Sequence, residues 1–374
     1  MKTGTVDLPL HYGNCPRWLF QRMVQLSRSI SEIIVDEYGP EGFLKRLSDP
    51  YFFQSFGCAV GFDFHSSGIT TTLCAALKEA LRTSDLAKEI VFCGGKGKIS
   101  RKTPEEIKTE AEKINIKDKK VEELVRASRL AAKVDNAALQ DGFTLYHHSF
   151  VFTSRGSWAV IQQGMNQDWA RRYHWLSYEE LDFVREPHVA IACDIKVKPL
   201  NMIAYEAEEA RKASVELARE KPSLIKKELK KIYKDQKKYQ KTLDCFGSAF
   251  ASFSMPYEHF PKIKNFKINL KALEKAYQEQ PESYEELLLI QGLGPSTIRA
   301  LALLSNLIYG SELSWRDPCK FAFAHGGKDG WPYPVNKKQY DKSITILKDA
   351  IDNAKIGKKE KLLALKRLSS LVQL

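Results

Sequence analysis

The side chains best suited to chemistry lie in one short segment, Gly61-Phe62-Asp63-Phe64-His65-Ser66-Ser67-Gly68. If Cys58–Phe64 is a strand, Asp63 and His65 point to the same face, because side chains in a strand alternate with a period of two. A carboxylate and an imidazole placed in this way can share a divalent metal, or act as an orienting acid and a base. We therefore expect Asp63 and His65 to be catalytic and to bind a divalent metal, manganese or magnesium.

Four further histidines are candidates for the same site. His11 follows the first predicted strand, and His188 begins the last predicted strand of the N-terminal region. His147 and His148 are neighbours in a predicted hairpin strand, so their rings face opposite sides and at most one of them joins a given site. His11, His147 or His148, and His188 are thus added to the catalytic candidates. The alternative is a surface turn for His11 and a core or surface position for the second hairpin histidine.

A basic and aromatic cluster, Arg171-Arg172-Tyr173-His174-Trp175, follows neutral donors at Gln162–Asn166. Guanidinium groups bind phosphate through a fork of donors, and aromatic rings stack on bases. Arg171, Arg172 and Arg155 are therefore expected to hold a phosphate or to stabilise charge in a transition state.

A glycine- and lysine-rich stretch, Gly94-Gly95-Lys96-Gly97-Lys98, follows another predicted strand. It lacks the residue order of a nucleotide-binding phosphate loop, so it does not predict an NTPase. A basic loop that contacts a nucleic-acid backbone is the preferred interpretation. A phosphotransferase that uses Lys96 and Ser66 is the remaining alternative.

The most specific motif runs from Leu287 to Leu301 and resembles a helix-hairpin-helix. An apolar run ends one helix, Gly292-Leu293-Gly294 forms a tight turn, and Pro295 suits the first turn of the next helix. Backbone N–H groups of such a turn form a nest for one phosphate, which positions a strand without reading its sequence. The predicted DNA-binding residues of the motif are Gly292, Leu293, Gly294, Ser296, Thr297 and Arg299. A turn between two packed helices without a ligand is the alternative.

The basic surplus of the chain is concentrated in two stretches. The 374 residues carry a formal net charge of +12. Lys221–Lys241 contains nine lysines and two acids, and Lys355–Leu374 contains five lysines and one arginine against one glutamate. Both stretches have helical periodicity, and a basic helix face suits a phosphate backbone. Lys227, Lys230 and Lys234 are accordingly expected to contact DNA; a solvated linker helix is the alternative.

The pattern of elements changes along the chain. Residues 1–200 predict a mixed α/β (α+β) domain that carries any catalysis, 201–244 a lysine-rich linker helix, and 245–374 an all-α helix-hairpin-helix domain that binds DNA. The predicted strands are Thr5–Leu10, Cys58–Phe64, Ile90–Cys93, Phe143–Thr153, Trp158–Gln163 and Val189–Val197. The predicted helices are Pro16–Asp36, Thr70–Leu81, Pro104–Ile114, Val121–Ala138, Gln167–Trp175 and Met202–Lys241, the last of them interrupted near Lys221-Pro222.

Several of these segments together resemble one family, a mostly archaeal prokaryotic domain of unknown function, number seven-sixty-three. The resemblance rests on His11-Tyr12-Gly13, Gly61–Gly68, Trp158–Trp175 and Phe321–Asp329, and extends from about His11 to Ile344. It implies an α/β N-terminal region joined to a helix-hairpin-helix, and an action on DNA. It assigns no catalytic role to any residue.

These observations favour a DNA-binding protein that acts as a metal-dependent deoxyribonuclease, hydrolysing phosphodiesters with a bound divalent ion. The alternative is a non-catalytic or architectural DNA-binding protein of DNA repair or recombination. The widely spaced cysteines, the lack of a signal sequence and the lack of a long apolar run indicate a cytoplasmic protein without a membrane partner. A homo-oligomer remains open.

Overall fold

The computed structural model describes residues 15–61, 67–167, 169–193, 195–230, 268–319 and 337–372. Its helices are α1 (Arg17–Leu47), α2 (Pro50–Ala59), α3 (Gly68–Arg82), α4 (Thr103–Lys113), α5 (Asp118–Lys133), α6 (Glu208–Ala218), α7 (described over 222–230), α8 (Leu270–Glu279), α9 (Tyr284–Leu289), α10 (Pro295–Tyr309), α11 (Lys337–Asn353) and α12 (Lys358–Val372). Its strands are β1 (Ile90–Lys96), β2 (Leu139–Gln140), β3 (Thr144–Thr153), β4 (Trp158–Met165), β5 (Ala170–Leu176), β6 (Ala190–Ala192) and β7 (Leu200–Asn201). Within these ranges, no helix has the length and apolar character needed to cross a bilayer.

A five-stranded antiparallel sheet lies at the centre, with the strand order β1-β3-β4-β5-β6. Strands β3 and β4 form the predicted hairpin, which is confirmed across the turn 154–157. The short strands β2 and β7 pair separately. Because neighbouring strands run antiparallel, directly opposed residues share a face and form a row across the sheet, and successive rows lie on alternate faces.

Both faces of the sheet are covered by helices. On one face, Phe150, Val160 and Trp175 belong to a buried cluster that includes residues of α4, α5, α6, α9 and α10. On the other, Val151 and Ile161 belong to a second cluster that includes residues of α1, α2, α3, α11 and α12. The sheet strands are therefore almost fully buried, which is typical of a sheet between two helical layers.

The mixed helix-and-sheet class is confirmed. The described helices of the expected all-α unit, 245–374, do not have a core of their own. Leu288 and Ile298 pack in the first cluster with the sheet, whereas Ile351 and Leu368 pack in the second with α1–α3. The chain thus returns to both faces of the sheet after α7.

The predicted strand Cys58–Phe64 is wrong over its described part, because α2 extends to Ala59. Asp49 caps this helix, as its Oδ1 accepts from the Tyr51 N–H at 2.8 Å and the Phe52 N–H at 3.1 Å, and proline occupies the first turn. The entire helix is buried, so its sequence lacks the polar face that marks a helix. The same-face argument for Asp63 and His65 therefore loses its basis, and both residues lie outside the described ranges.

The predicted helix Gln167–Trp175 is also wrong, because residues Ala170–Leu176 form β5, a strand inside the sheet. Its polar side chains are buried on both faces, so the alternation that marks a half-exposed strand is absent. The predicted strand Val189–Val197 shortens to Ala190–Ala192, and the long helix from Met202 begins at Glu208. Its predicted interruption near Lys221-Pro222 is confirmed, because α6 ends at Ala218 and the next helix is described from residue 222. Strand Thr5–Leu10 lies outside the described residues.

A buried ion triad joins β5 to two distant segments. The Arg171 guanidinium donates to Asp141 Oδ2 at 3.2 Å and, through two nitrogens, to Asp317 Oδ1 and Oδ2 at 3.0 and 2.9 Å. Its side chain is 0% exposed, and those of Asp141 and Asp317 are 1% and 6% exposed. Tyr173 also donates to Asp141, at 2.7 Å. A phosphate-contacting Arg171 was expected; the structure instead places it in the interior.

We expect Arg171→Ala to lower the free energy of unfolding by about 3–5 kcal/mol, because it leaves two buried carboxylates without their cation. The measurement is urea unfolding. The matched control is Arg82→Ala, which removes an exposed ion pair with Glu79 worth about 0–1 kcal/mol. Equal losses in the two variants would contradict the assignment.

Candidate functional site

A row of four polar side chains crosses the sheet on the face covered by α1–α3. Lys96 of β1 is opposite His147 of β3, His147 is opposite Gln163 of β4, and Gln163 is opposite Arg172 of β5. His147, Gln163 and Arg172 are at most 1% exposed. We call these four residues the polar row. Burying so many polar groups costs free energy unless they are hydrogen-bonded, so such a row needs a structural or functional reason.

Gln163 connects the polar row to the start of α3. Its Nε2 donates to the Ser67 carbonyl at 2.9 Å and to the Tyr146 hydroxyl, and its Oε1 accepts from the Thr70 hydroxyl. The amide is thereby fixed in one orientation. Ser67 is the first described residue after Gly61.

Arg172 is the buried cation of the row. Its Nη2 donates to Gln54 Oε1 at 2.7 Å, and its guanidinium carbon lies 4.6 Å from the centroid of the Phe53 ring. Both contacts come from α2. Arg172 was predicted to contact phosphate from the helix Gln167–Trp175; it is in fact buried in a strand, on the opposite face from Arg171.

His147 and Ser149 lie next to each other on the same face. His147 Nε2 is 2.9 Å from Ser149 Oγ, and His147 Nδ1 has no hydrogen-bond partner among the described residues. Burial lowers the pKa of His147 to about 3, and His148, Arg172 and Lys96 act in the same direction. The ring is therefore neutral at pH 7 and acts as a hydrogen-bonding group, since a general base needs a pKa near the working pH.

A cleft of about 1050 Å³ opens beside the row, between α1, α3 and the end of β1. Ser149, Gly94, Gly95 and Lys96 form its sheet side. The backbone at Gly94 has a φ of 85°, and a Cβ there would lie 2.2 Å from the His148 carbonyl oxygen, so only glycine fits. Lys78 and Glu106 fix the same residue, because Lys78 Nζ donates to the Gly94 carbonyl at 3.0 Å and the Gly94 N–H donates to Glu106 Oε2 at 2.7 Å.

His148 and His188, two further histidines predicted to be catalytic, lie on the opposite face of the sheet from His147. His148 Nε2 is 2.9 Å from Ser128 Oγ and its Nδ1 is 2.8 Å from Gln162 Oε1, so Nδ1 carries the proton and Ser128 donates. Gln162 Nε2 donates to Asp135 Oδ2 at 2.5 Å, and His188 Nε2 lies 2.5 Å from Asp135 Oδ1.

Asp135 completes this network, since Trp175 Nε1 also donates to it, at 2.9 Å. Because every member has a partner and all of them are buried or nearly so, the network is suited to holding α5 and the π-helical turn Val134–Ala138 on the sheet. The sheet separates His147 from His148 and His188, as the strand alternation predicted for the first pair. The two expected groups of histidines thus do not form one site.

The predicted Gly-Leu-Gly turn joins α9 to α10. Gly292 has a φ of 85°, and a Cβ at this position would lie 2.9 Å from Asn269 Nδ2, which donates to the Gly292 carbonyl at 3.0 Å. Leu293 is buried, whereas Gly292 and Ser296 are exposed. The N–H groups of Gly294 and Ser296 have no acceptor among the described residues. These are the orphan donors of a helix start.

Two lysines that sequence reasoning did not select flank this turn. Lys133 of α5 donates to the Leu293 carbonyl at 2.7 Å, and Lys275 of α8 donates to Gln291 Oε1 at 2.7 Å. Burial lowers the pKa of Lys133. Because their partners are distant in sequence, spacing along the chain gave no signal for them.

The remaining hairpin residues have structural contacts. Thr297 Oγ1 accepts from the Asn269 N–H at 3.2 Å. Arg299 is 6% exposed and donates from Nε to Gln140 Oε1 at 2.8 Å, while burial lowers its pKa to about 10. Arg299 therefore holds α10 against β2, which differs from the expected position along a bound strand.

The other predicted contacts are distributed as follows. Lys227 and Lys230 of α7 are exposed, and Arg155 is exposed in the β3–β4 turn, 3.8 Å from Glu41. His11, Asp63, His65 and Lys234 lie outside the described residues.

The described part of the chain does not fit a metal ion at the polar row. No three His, Cys, Asp or Glu side chains within it are arranged to bind a metal. His147 Nδ1 is a free nitrogen, but the positive charges of Arg172 and Lys96 act on it and oppose a cation there. The expected ligands Asp63 and His65 remain a prediction.

The fold and the sites define a mixed helix-and-sheet protein with a polar row beside a cleft and an exposed glycine hairpin. A model of the family described as "Protein of unknown function (DUF763)" matches residues 4–335, most of the chain, and the chain therefore belongs to that family. No curated protein and no solved structure matches the chain.

We expect acid to destabilise the protein through His147. The folded state keeps this ring neutral down to about pH 3, whereas the unfolded chain takes up a proton near pH 6.5. Stability is therefore present above about pH 6.5 and is lost as the pH falls, at up to about 1.4 kcal/mol per pH unit. The pKa values of His148 and His174 are also lowered by burial and add to this slope.

The measurement is the free energy of unfolding in urea at several pH values between about 7 and 4. His147→Gln removes one titrating group, so its slope against pH should be shallower even if its stability at pH 7 is lower. An unchanged slope would show that His147 is not held neutral.

Proposed function

We propose that the protein binds DNA, single- or double-stranded, and that the turn from Gly292 to Ser296 takes a backbone phosphate. The observation that supports this proposal is the pair of N–H groups, at Gly294 and Ser296, that lack an acceptor on an accessible turn. A helix start with free N–H groups carries a partial positive charge and binds anions.

The surroundings of the turn support the same ligand. Lys133 and Lys275 place two ammonium groups within hydrogen-bond distance of residues 291–293. Both lie on helices other than those of the hairpin, so the positive potential is built by the tertiary fold. Exposed Lys227 and Lys230 add to the cationic surface of α7. In this proposal the helix-hairpin-helix of the region 245–374 supplies sequence-independent contacts to the DNA backbone.

Ser296→Glu tests the hairpin directly. A carboxylate at this exposed position repels phosphate but favours the helix start, so DNA affinity should fall at least about tenfold while stability is unchanged or rises by roughly 0.3–1 kcal/mol. The measurement is fluorescence anisotropy with labelled single- and double-stranded oligonucleotides at several salt concentrations, together with thermal unfolding.

The matched control is Ser296→Gln, which has the same shape without the charge and should bind like the unaltered protein. If the glutamate variant binds DNA as tightly as the glutamine variant, the hairpin does not carry the binding.

A second candidate function is phosphodiester hydrolysis, as a deoxyribonuclease. The polar row favours it, because a buried guanidinium, a lysine and a neutral imidazole lie together beside a cleft, and such cations stabilise the charge of a phosphoryl transition state. A metal would have to be bound by other residues, with Asp63 and His65 as the expected ligands. Non-catalytic DNA binding is the alternative.

The two functions are separated by incubating labelled DNA with the protein and manganese, magnesium or chelator. Hydrolysis predicts metal-dependent products that disappear in the Asp63→Ala, His65→Ala double variant while binding persists. Strongly salt-dependent binding without any product would support the non-catalytic alternative.

A further inference from the structure

The cleft beside the polar row has features of a ligand site that is separate from the hairpin. Its volume of about 1050 Å³ is at the upper end of the range for small-molecule pockets, roughly 300–1000 Å³. Four elements build it: the first turns of α1, one side of α3, Ser149 of β3, and the end of β1 with the 3-10 turn Gly97–Lys102 that follows it. These elements belong to the part of the chain that does not contain the hairpin.

The charge of the cleft favours an anion. Four basic residues line it, namely Arg17, Lys78, Arg82 and Lys96, and Glu79 is the one acid among the described lining residues. Glu79 is paired with Arg82 at 2.9 Å, and Lys78 is paired with Glu106 at 2.7 Å.

Two lining cations remain after these pairs are formed. No carboxylate contacts Arg17 or Lys96 within the described residues, and the Lys96 ammonium lies 5.9 Å from the centroid of the Tyr146 ring. Both side chains are exposed to the cleft's solvent. A phosphate between them would gain charge-assisted hydrogen bonds that the protein does not supply.

The inner wall of the cleft is polar and rigid. Ser149 is 1% exposed, lines the cleft, and is held by His147 at 2.9 Å. Thr71 and Thr72 of α3 add hydroxyl groups to the same wall. When His147 Nε2 carries the ring proton and donates to Ser149 Oγ, the single hydroxyl proton of Ser149 is left to donate to a phosphate oxygen.

Apolar side chains also line the cleft. They are Phe20 and Val24 of α1, and Ile99, which is 50% exposed. A ring system of a ligand could pack against these side chains, since small-molecule sites combine apolar walls with a few polar groups. Arg17, Phe20 and Val24 follow one another at three- and four-residue spacing on α1, so a cation and two apolar side chains share one face of this helix. This combination suits a ligand that joins a phosphate to a flat ring.

We propose that this cleft binds a nucleoside phosphate monoester, with the phosphate between Arg17 and Lys96 and the base against Phe20 and Val24. Two sources supply this chemistry: a free mononucleotide, and the 5′-terminal nucleotide of a DNA strand. The site goes beyond the hairpin contact, which takes an internal backbone phosphate and does not distinguish a strand end.

The experiment compares ligands with and without the monoester. One arm measures a 3′-labelled oligonucleotide with a 5′-phosphate against the same strand with a 5′-hydroxyl, by anisotropy. The other arm measures dAMP against deoxyadenosine, by calorimetry. A preference for the phosphorylated member of about tenfold is expected in at least one arm, and the arm that shows it identifies the source.

Two variants test where the preference arises. Arg17→Ala with Lys96→Ala removes the charges, and Ala75→Trp fills the cleft from an exposed position of α3 without changing charge. Both should reduce the preference to less than about twofold. The matched control, Lys98→Ala with Arg101→Ala, removes two exposed basic residues of the adjacent 3-10 turn that do not line the cleft, and should keep the preference.

The outcomes separate this site from the hairpin. Ser296→Glu should weaken the 5′-phosphate and the 5′-hydroxyl strands equally, so the ratio of their affinities reports on the cleft alone. The proposal is overturned if neither arm shows a preference, if the preference survives Ala75→Trp, or if the control pair abolishes it as fully as the cleft pair.

Discussion

The buried guanidinium of Arg171 is the contact on which the arrangement of the chain depends. It lies in the interior of the sheet and bonds to a carboxylate just after β2 and to another far along the chain, at Asp317. Asp317 in turn accepts from the Val197 N–H at 2.8 Å and the Cys319 N–H at 2.9 Å. A buried charge that is satisfied in this way admits few alternative partners, so it fixes where the segment after α10 meets the sheet.

In the antiparallel sheet, side chains that are neighbours in sequence lie on opposite faces and therefore in different environments. Arg171 and Arg172 are adjacent, yet Arg171 forms an ion triad with Asp141 and Asp317 on one face of the sheet, whereas Arg172 lies against α2 on the other. His147 and His148 are separated in the same way, so one belongs to the polar row and the other to the Asp135 network. The sheet thus separates these polar side chains into two groups. Those on one face hold the fold together, and those on the other face lie beside the cleft.

Sequence reasoning succeeded where local signals and the fold agree. The β3–β4 hairpin, helix α3 and the Gly-Leu-Gly turn were predictable because periodicity and glycine geometry act over a few residues. It failed at α2 and β5, where burial on all sides removes the periodicity, and at Arg299 and Lys133, whose partners are more than a hundred residues away. The polar row was only partly predictable, since its members were selected singly and the register that aligns them is a tertiary property.

The electrostatics of the polar row limit the chemistry it can perform. His147 lies in the same row as Lys96 and Arg172 and is neutral, so it is a weak base and a poor ligand for a metal cation. The positive charges of Lys96 and Arg172 favour a phosphate instead. Hydrolysis at this place would therefore depend on phosphate positioning and charge stabilisation by these residues, with a group other than His147 activating the water. The hairpin, which is built from other elements, would hold the strand without taking part in that step.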